Sequence, residues 1–184
     1  NRFFDFPKPT KIINILLNTV VRKDKDSIIL DFFSGSATTA HAVMQLNAED
    51  GGNRKFIMVQ LPEETPEDSE ARKAGYNTIP DIAKERIRRA GKKIKEESPL
   101  TTADLDTGFR VFRLDEGNYE DVNRTPKEFK QDQLDLFLNN IKADRNDLDL
   151  LFGCMLDWGV QLSLPMTQEV VDGKTIYTVN DGDL

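Results

Sequence analysis

The feature that most restricts the possible folds is a short apolar run that leads through a glycine turn directly into a helical pattern. Ser27 to Phe33 is almost continuously apolar, which is typical of a buried parallel strand. Ser34-Gly35-Ser36 ends the run, and apolar side chains return at helical spacing from Thr38 to Ala48. A strand, a tight turn and a helix in immediate succession predict an α/β unit.

Helices and strands alternate on both sides of this unit. The alternation predicts an α/β fold with a parallel sheet. The other predicted elements are a helix that begins at Thr10, with the Thr10 hydroxyl as N-cap, and closes at Arg22 and Lys23; strands over Lys55–Leu61 and Gly108–Leu114; an exposed polar excursion over Glu63–Asn77; and a helix from Ile79 to about Glu97.

The pattern changes beyond about Glu116. We expect two domains, over residues 1–115 and 116–184, the second being a small α+β appendage and a candidate dimer or partner contact. Its predicted elements are a helix through Phe129, Leu134, Leu136, Phe137 and Ile141, a helix over Leu148–Trp158, and a hairpin of residues 160–164 and 175–179 around Asp172-Gly173.

Composition narrows the classes of function. Cys154 is the only cysteine and His41 the only histidine, so a disulfide or cysteine-based zinc site cannot form within the chain, and we expect no metal. No apolar run reaches membrane-spanning length and no secretion signal opens the chain, which favours a reducing, cytoplasmic location. The start at Asn1, next to an apolar cluster, indicates a fragment. A formal net charge of −7 argues against a main nucleic-acid-binding surface on this segment, because such surfaces are usually basic.

The glycine turn is the strongest candidate for a binding site. Open α/β sheets bind ligands beyond the carboxyl ends of their strands, and Gly35 lets a ligand approach the backbone closely. The N-terminus of the following helix suits a carboxylate or a phosphate, the hydroxyls of Thr38 and Thr39 add donors, and Asp31 suits an ammonium or sulfonium group.

The residues around the turn also restrict the ligand. A phosphate-binding loop would need a lysine after its second glycine, and a dinucleotide fingerprint would need three spaced glycines. A ligand with both a carboxylate and an amine, such as the methionine end of S-adenosylmethionine, fits better. A plain strand-to-helix turn without a ligand is the alternative.

Several segments resemble one family. Residues 31–39, DFFSGSATT, look like the cofactor-binding motif of amino-group DNA methyltransferases, and Phe6-Pro7-Lys8-Pro9 resembles the companion motif of that family. Residues 52–63 and 75–87 are similar to one subgroup, the modification (Mod) subunits of type III restriction–modification systems. Residues 108–114 and the tail also look like the C-terminal part of such subunits.

The resemblance implies a β-type DNA adenine N6-methyltransferase. The expected fold is a partial Rossmann-like, S-adenosylmethionine-dependent methyltransferase sheet. Expected partners are DNA, mainly through other regions, a restriction (Res) subunit and a second copy of the full subunit. The catalytic Asp-Pro-Pro-Tyr-type motif of the family precedes the cofactor motif, and this chain has no two consecutive prolines, so we expect no catalytic residue here. The implied cofactor-binding residues are Phe6, Lys8, Pro9, Asp31, Phe32, Phe33, Ser34, Gly35, Ser36, Thr38, Thr39, Gln60 and Leu61.

Two departures from the family pattern keep other functions open. Ala37 stands where the family usually has a second glycine, and Gln60 stands where methyltransferases generally place an acidic residue for the ribose hydroxyls. They favour a non-catalytic interaction module as the alternative; a methyltransferase acting on RNA or a small molecule is a third reading, which residues 6–9 disfavour. The cations between Lys84 and Lys95 are interpreted as a solvated helix face rather than a phosphate-binding stripe, and His41 as an ordinary helix residue.

Overall fold

The computed structural model describes residues 3–4, 7–120, 140–182 and 184. They form two compact units, Asn1–Phe109 and Arg110–Leu184. The first contains α1 (Thr10–Val20), β1 (Ile28–Phe32), α2 (Thr38–Asp50), β2 (Lys55–Val59), α3 (Glu70–Lys73) and α4 (Ile79–Glu97). The second contains α5 (Asp147–Asp157), β3 (Met166–Val171) and β4 (Lys174–Val179). The mixed α/β organisation agrees with the predicted fold class.

The first unit is built on a small parallel sheet. β1 and β2 pair so that Ile29 lies opposite Phe56 and Leu30 opposite Ile57. Because side chains alternate between the faces of a strand, Ile29 and Phe56 share the face that packs against the helices. Leu30 and Ile57 share the other face, where they are 62% and 50% exposed.

The helix after the glycine turn forms the centre of this unit. α2 contacts α1, α4 and β2, and eight of its 13 residues are buried. Leu17 of α1 packs against Val43, and Ile87 of α4 packs into the cluster that contains Met44. Alanines at positions 40 and 42 allow neighbouring helices to approach closely, because their side chains are small. The packing therefore fixes the position of the turn that begins α2.

Two predictions about the strands were wrong. β1 is not buried on both faces, because the described helices cover only one of them. Residues 108–114 do not form a third strand. Instead, Phe109 packs against the α2–α4 core, and the Arg110 guanidinium donates to the carbonyls of Leu162 and Leu164. Side-chain contacts thus replace the pairing that a strand would need.

The predicted ends of α1 also need correction. Thr10 is the first helical residue, the N-cap position belongs to Pro9, and no side chain caps the helix there. The last turn contains no basic residue, so Arg22 and Lys23 follow the helix rather than close it. Proline is common at the start of a helix because the first N–H groups have no partner within the helix and because its fixed φ suits the helix.

The polar excursion over residues 63–77 is folded rather than simply exposed. Thr65 and Ala71 are buried, and Glu64 forms an isolated bridge with Thr78. The Thr65 hydroxyl donates to the carbonyl of Tyr76 at 2.7 Å, which joins the two ends of the segment. The charged composition concealed this order because the segment buries small side chains and backbone groups rather than an apolar stripe.

The second unit contains a capped helix and a hairpin. Asn146 caps α5 by accepting from the N–H groups of Leu148 and Asp149. β3 and β4 are antiparallel around Asp172-Gly173, both of which have positive φ, as the turn prediction requires. The first strand was placed too early in the sequence: Val171 pairs with Lys174, so a two-residue turn requires the strand to end at Val171. The predicted helix over residues 129–141 falls almost entirely outside the described residues.

None of the helices in the described ranges is long and apolar enough to cross a membrane.

Candidate functional site

The carboxyl end of β1 places polar groups next to the start of α2. The Thr39 hydroxyl donates to Asp31 Oδ2 at 2.5 Å, and this hydrogen bond joins the end of β1 to the first turn of α2. The backbone N–H of Ser34 donates to the carbonyl of Val59 at 3.0 Å and continues the pairing of the two strands for one more residue. The chain therefore enters the turn with Asp31 held beside the helix N-terminus.

Two residues in the left-handed conformation form the turn. Gly35 has φ of 54°, and a Cβ there would lie 3.3 Å from Phe4 Cζ. Ala37 has φ of 57° and is fully buried at the N-cap of α2, without a side-chain cap. Glycine adopts this conformation without steric cost, whereas alanine does so at a cost of about 1 kcal/mol or more. Ala37, which stands where the family usually has a second glycine, thus has the positive φ that glycine favours.

The turn opens onto a cleft of about 810 Å³. This volume is within the usual range of about 300–1,000 Å³ for small-molecule sites. Eight of the thirteen expected cofactor-binding residues line it: Lys8, Asp31, Phe33, Ser34, Gly35, Ser36, Thr38 and Thr39. The fold therefore brings residues from three regions of the sequence, before α1, at the end of β1 and at the start of α2, around one space.

Four of the other five expected residues lie in the described part of the chain but do not line the cleft. Phe32 is 64% exposed and stacks on Phe33, with ring centroids 5.3 Å apart. Leu61 is 51% exposed. Gln60 Oε1 accepts from the Gly35 N–H at 2.7 Å, so this side chain supports the turn. Pro9 occupies the N-cap of α1. Phe6 lies outside the described residues.

A wall of the cleft comes from a segment that the sequence did not indicate. Glu64, Thr65, Pro66, Asp68, Ser69, Glu70 and Ala71 all line it, together with Phe3 and Phe4. Ser69 caps α3 by accepting from the Arg72 N–H, and the Arg72 guanidinium donates to the carbonyl of Thr65 at 2.8 Å. Ser69, followed by acidic Glu70 and basic Lys73, is a recognisable sign of a short helix, and that sign could have revealed this folded wall.

The polar groups of the cleft can bind a ligand with charges of both signs. Ser34 Oγ is buried and has no hydrogen-bond partner among the described residues, although buried hydroxyls are usually bonded. The first N–H groups of a helix lack intrahelical partners, and those of α2 lie beside Thr38 at the cleft. Carboxylates of Asp31, Glu64 and Asp68 line the same space. Within the described residues, no cluster of His, Cys, Asp or Glu side chains is suited to hold a metal ion.

Most of the cationic side chains of α4 form ion pairs. Lys84, Arg88 and Arg89 pair with acids one turn earlier in the helix, and Lys92 and Lys93 with acids one turn later. These pairs support the interpretation of α4 as a solvated charged helix. Arg86 differs from them: its guanidinium donates to the Ser36 hydroxyl at 2.9 Å and forms no ion pair with a described carboxylate.

Comparison with known proteins gives a family match and several relatives. A family model described as DNA methylase matches residues 1–71. The chain is 44% identical over 134 residues, 73% of its length, to the type III restriction-modification enzyme StyLTI Mod subunit of Salmonella typhimurium. It is 42% identical over 111 residues, 60% of its length, to the EcoP15I Mod subunit of Escherichia coli. It is 40% identical over 185 aligned positions, 97% of its length, to the EcoPI Mod subunit of Escherichia phage P1.

The chain spans 19%, 15% and 26% of the lengths of these three relatives. The match therefore concerns a segment of each relative. It confirms the resemblance that was inferred from residues 31–39 and the neighbouring motifs.

Proposed function

We propose that this chain forms the cofactor-binding part of an S-adenosylmethionine-dependent DNA adenine methyltransferase. Its residues 1–71 match a family model described as DNA methylase. The observation that carries this proposal is the convergence of eight expected cofactor residues on one cleft at the carboxyl end of β1. In this proposal, the two parallel strands form part of a Rossmann-like sheet, and the helices pack against it.

The chemistry of the cleft fits the methionine end of such a donor. The N-terminus of α2 and the Thr38 hydroxyl bind the carboxylate, because a helix N-terminus carries partial positive charge. Asp31, held by Thr39, accepts from the ammonium group. The unsatisfied hydroxyl of Ser34 gains a partner, and Gly35 leaves room for the ligand beside the backbone. When bound, the donor supplies an activated methyl group.

The whole protein, in this proposal, methylates adenine N6 at a specific DNA sequence within a type III restriction–modification system. Residues outside this segment hold the flipped base, since no Asp-Pro-Pro-Tyr-type motif is present in the chain. The formal net charge of −7 supports main DNA contacts in other parts of the protein. A second copy of the subunit and a Res subunit are the proposed protein partners, and the domain formed by residues 116–184 is a candidate contact for either.

A non-catalytic interaction module is the second candidate function. The strained Ala37 and the uncharged Gln60 favour this second function, because both weaken the expected binding of S-adenosylmethionine. The two functions differ in whether the cleft binds S-adenosylmethionine.

Isothermal titration calorimetry with S-adenosylmethionine tests the proposal. Gly35→Ala and Gly51→Ala form a matched pair, since both positions have positive φ and lie just before and just after α2. A Cβ at position 35 would enter the cleft region near Phe4, whereas a Cβ at position 51 has nothing within 4 Å. We expect Gly35→Ala to weaken binding by roughly tenfold or more and Gly51→Ala to leave it unchanged, at a similar cost in stability of about 1 kcal/mol.

Absence of binding to the unsubstituted chain, or equal effects of the two variants, would contradict a donor site at this turn. The polynucleotide substrate needs a separate assay on the full-length subunit. We expect methyl transfer to duplex DNA and none to RNA of the same sequence; transfer to RNA alone would reject the DNA assignment.

A further inference from the structure

A second cavity lies beside the cofactor cleft within the first unit. Its volume is about 330 Å³, and it shares Phe3, Phe4, Ser36 and Ile82 with the cleft. Its charged lining consists of three cations, Arg86, Arg89 and Lys93, and one carboxylate, Glu85. This excess of positive charge occurs in a chain with a net charge of −7, so it is a local feature rather than a property of the whole surface.

The three cations differ in how far their charge is already neutralised. The Arg89 guanidinium donates to Glu85 at 2.6 Å and lies over the Phe3 ring, 5.7 Å from its centroid. Lys93 lies 3.5 Å from a Glu97 oxygen. Arg86, which is half-buried, contacts the Ser36 hydroxyl and no described carboxylate. A half-buried guanidinium without a counter-charge is unfavourable unless it gains an anionic partner.

His41 lines the same cavity as these three cations. Burial lowers the pKa of His41, and the neighbouring charges of Arg86 and Lys93 lower it further, whereas Glu97 raises it. Burial, and to a smaller extent the two cations, therefore favour the neutral imidazole over its charged form. An anion that enters the cavity would oppose that effect and raise the pKa of His41.

We propose that this cavity binds an oxyanion, a carboxylate or a phosphate group, between Arg86 and the Ser36 hydroxyl. Arg86 offers further N–H donors in a planar fork, and Ser36, which accepts from Arg86, retains its own O–H to donate to the anion. The anion site itself does not depend on the proposed function, but its natural occupant does. We assign that occupant to a phosphate of the nucleic acid, because the proposed function binds the carboxylate of the donor at the start of α2, in the adjoining cleft; a donor carboxylate in this cavity is the outcome that the competition test must exclude.

Nuclear magnetic resonance of His41 provides a specific test, because it is the only histidine in the chain. The full 184-residue chain is titrated with inorganic phosphate at constant ionic strength, with chloride as the reference salt. We expect a saturable shift of the His41 ring resonances and an increase of its pKa with phosphate. A shift that does not saturate, or that chloride reproduces, overturns the proposal.

Three substitutions on the same helix separate this site from general charge effects. Arg86→Gln should weaken phosphate binding roughly tenfold or more, since a charge-assisted hydrogen bond is lost. Lys92→Gln is the matched control: Lys92 is exposed, pairs with Glu96 and does not line the cavity, so binding should be unchanged. Lys93→Gln removes a lining cation without disturbing Ser36 and should weaken binding about threefold, which keeps the test valid if Arg86→Gln fails to fold. Equal affinity in every folded variant overturns the proposal.

Competition distinguishes the two sources of the anion. If S-adenosylmethionine displaces phosphate and its decarboxylated analogue does not, the carboxylate of the donor is the occupant. If a short DNA duplex at low salt displaces phosphate, a backbone phosphate is the occupant. The phosphate titration alone decides whether the site exists, so failure of the donor to bind anywhere rejects the proposed function without rejecting the anion site.

Discussion

The guanidinium of Arg54 is fully buried and joins three segments of the first unit. It donates to the carbonyls of Val21 and Asp24 after α1, at 3.2 and 3.0 Å, and to both carboxylate oxygens of Asp50 at the end of α2. The Arg54 backbone exchanges two hydrogen bonds with the Asn47 side chain. One side chain therefore satisfies several carbonyls after α1 and the carboxylate of Asp50 at the end of α2.

Arg54→Met should destabilise the protein by about 3–5 kcal/mol, because it leaves buried carbonyls and Asp50 without their partner. Urea unfolding followed by circular dichroism measures the change. Arg88→Met is the control, since Arg88 is exposed and lies 3.9 Å from its Glu85 partner; we expect a change within about 0.5 kcal/mol. A loss below about 1 kcal/mol for Arg54→Met would show that the bonds of this side chain are not needed.

Substitutions of Ala37 test the energetic cost of the left-handed conformation in the turn. Ala37→Gly relieves about 1–2 kcal/mol of left-handed strain but removes a buried methyl group worth about 0.8 kcal/mol, so a small net stabilisation of about 1 kcal/mol or less is expected. Ala37→Val should destabilise by about 2 kcal/mol or more, because a branched side chain is poorly tolerated at positive φ in a packed site. Thermal unfolding of both variants measures the difference, and a more stable valine variant would contradict the observed turn.

At the level of secondary structure elements, hydrogen bonds between Asp81 and Thr78 stabilise the N-terminus of α4. The Asp81 carboxylate accepts from both the N–H and the hydroxyl of Thr78, at 3.0 and 2.8 Å. It also pairs with Lys84 at 2.8 Å. These contacts lower the pKa of Asp81 below its usual value of 3.8, the hydrogen bond with Lys84 being the largest cause and the Thr78 bonds contributing.

Asp81→Ala should cost about 1 kcal/mol of stability at neutral pH. Since the pKa of Asp81 is lower in the folded state, its contribution is present above pH 3.8 and is lost as the pH falls below that value. The difference between wild type and variant should therefore shrink in acid when urea unfolding is repeated from pH 7 to pH 3. Glu96→Ala, near the other end of α4, serves as the control and should change stability by less than about 0.5 kcal/mol. A constant difference across this range would exclude the charged cap.

At the scale of the whole molecule, the main feature is an apolar face of the β1–β2 sheet that the described residues of the first unit leave exposed. Ile28, Leu30 and Phe32 of β1 are 60%, 62% and 64% exposed, and Ile57 and Val59 of β2 are 50% and 44% exposed. A continuous exposed apolar surface of this kind promotes association. The polar composition of the chain as a whole does not compensate for it, because the apolar side chains are adjacent.

Paired substitutions on this face should reduce association. Leu30→Glu with Ile57→Lys introduces opposite charges at directly opposed positions without changing the net charge. We expect the wild-type chain to bind the dye ANS and to increase in apparent mass with concentration, and this double variant to do neither while keeping its circular dichroism. Thr167→Glu with Thr178→Lys on the β3–β4 hairpin is the matched control. Unchanged light scattering in the first variant would show that association, if any, uses another surface.

Patterns between neighbouring residues were sufficient for part of the local structure of this protein. The limits of α4, the glycine turn before α2 and the Asp172-Gly173 turn all agree with the sequence. Each of them depends on side chains within a few positions along the chain: an apolar stripe at helical spacing, or residues that tolerate positive φ. The motif of residues 31–39 likewise indicated the resemblance to DNA methyltransferases, because its informative residues are contiguous.

Tertiary contacts decided which surfaces are covered and what surrounds the turn. A continuous apolar strand can lie between two layers or beneath only one, and only the packing of α2 shows that β1 has a single covered face. The hydrogen bond between Gln60 and Gly35 and the bonds from Arg54 to the carbonyls after α1 join residues 25 to 33 positions apart. Such contacts depend on the path of the folded chain, and no local pattern of residue types encodes that path.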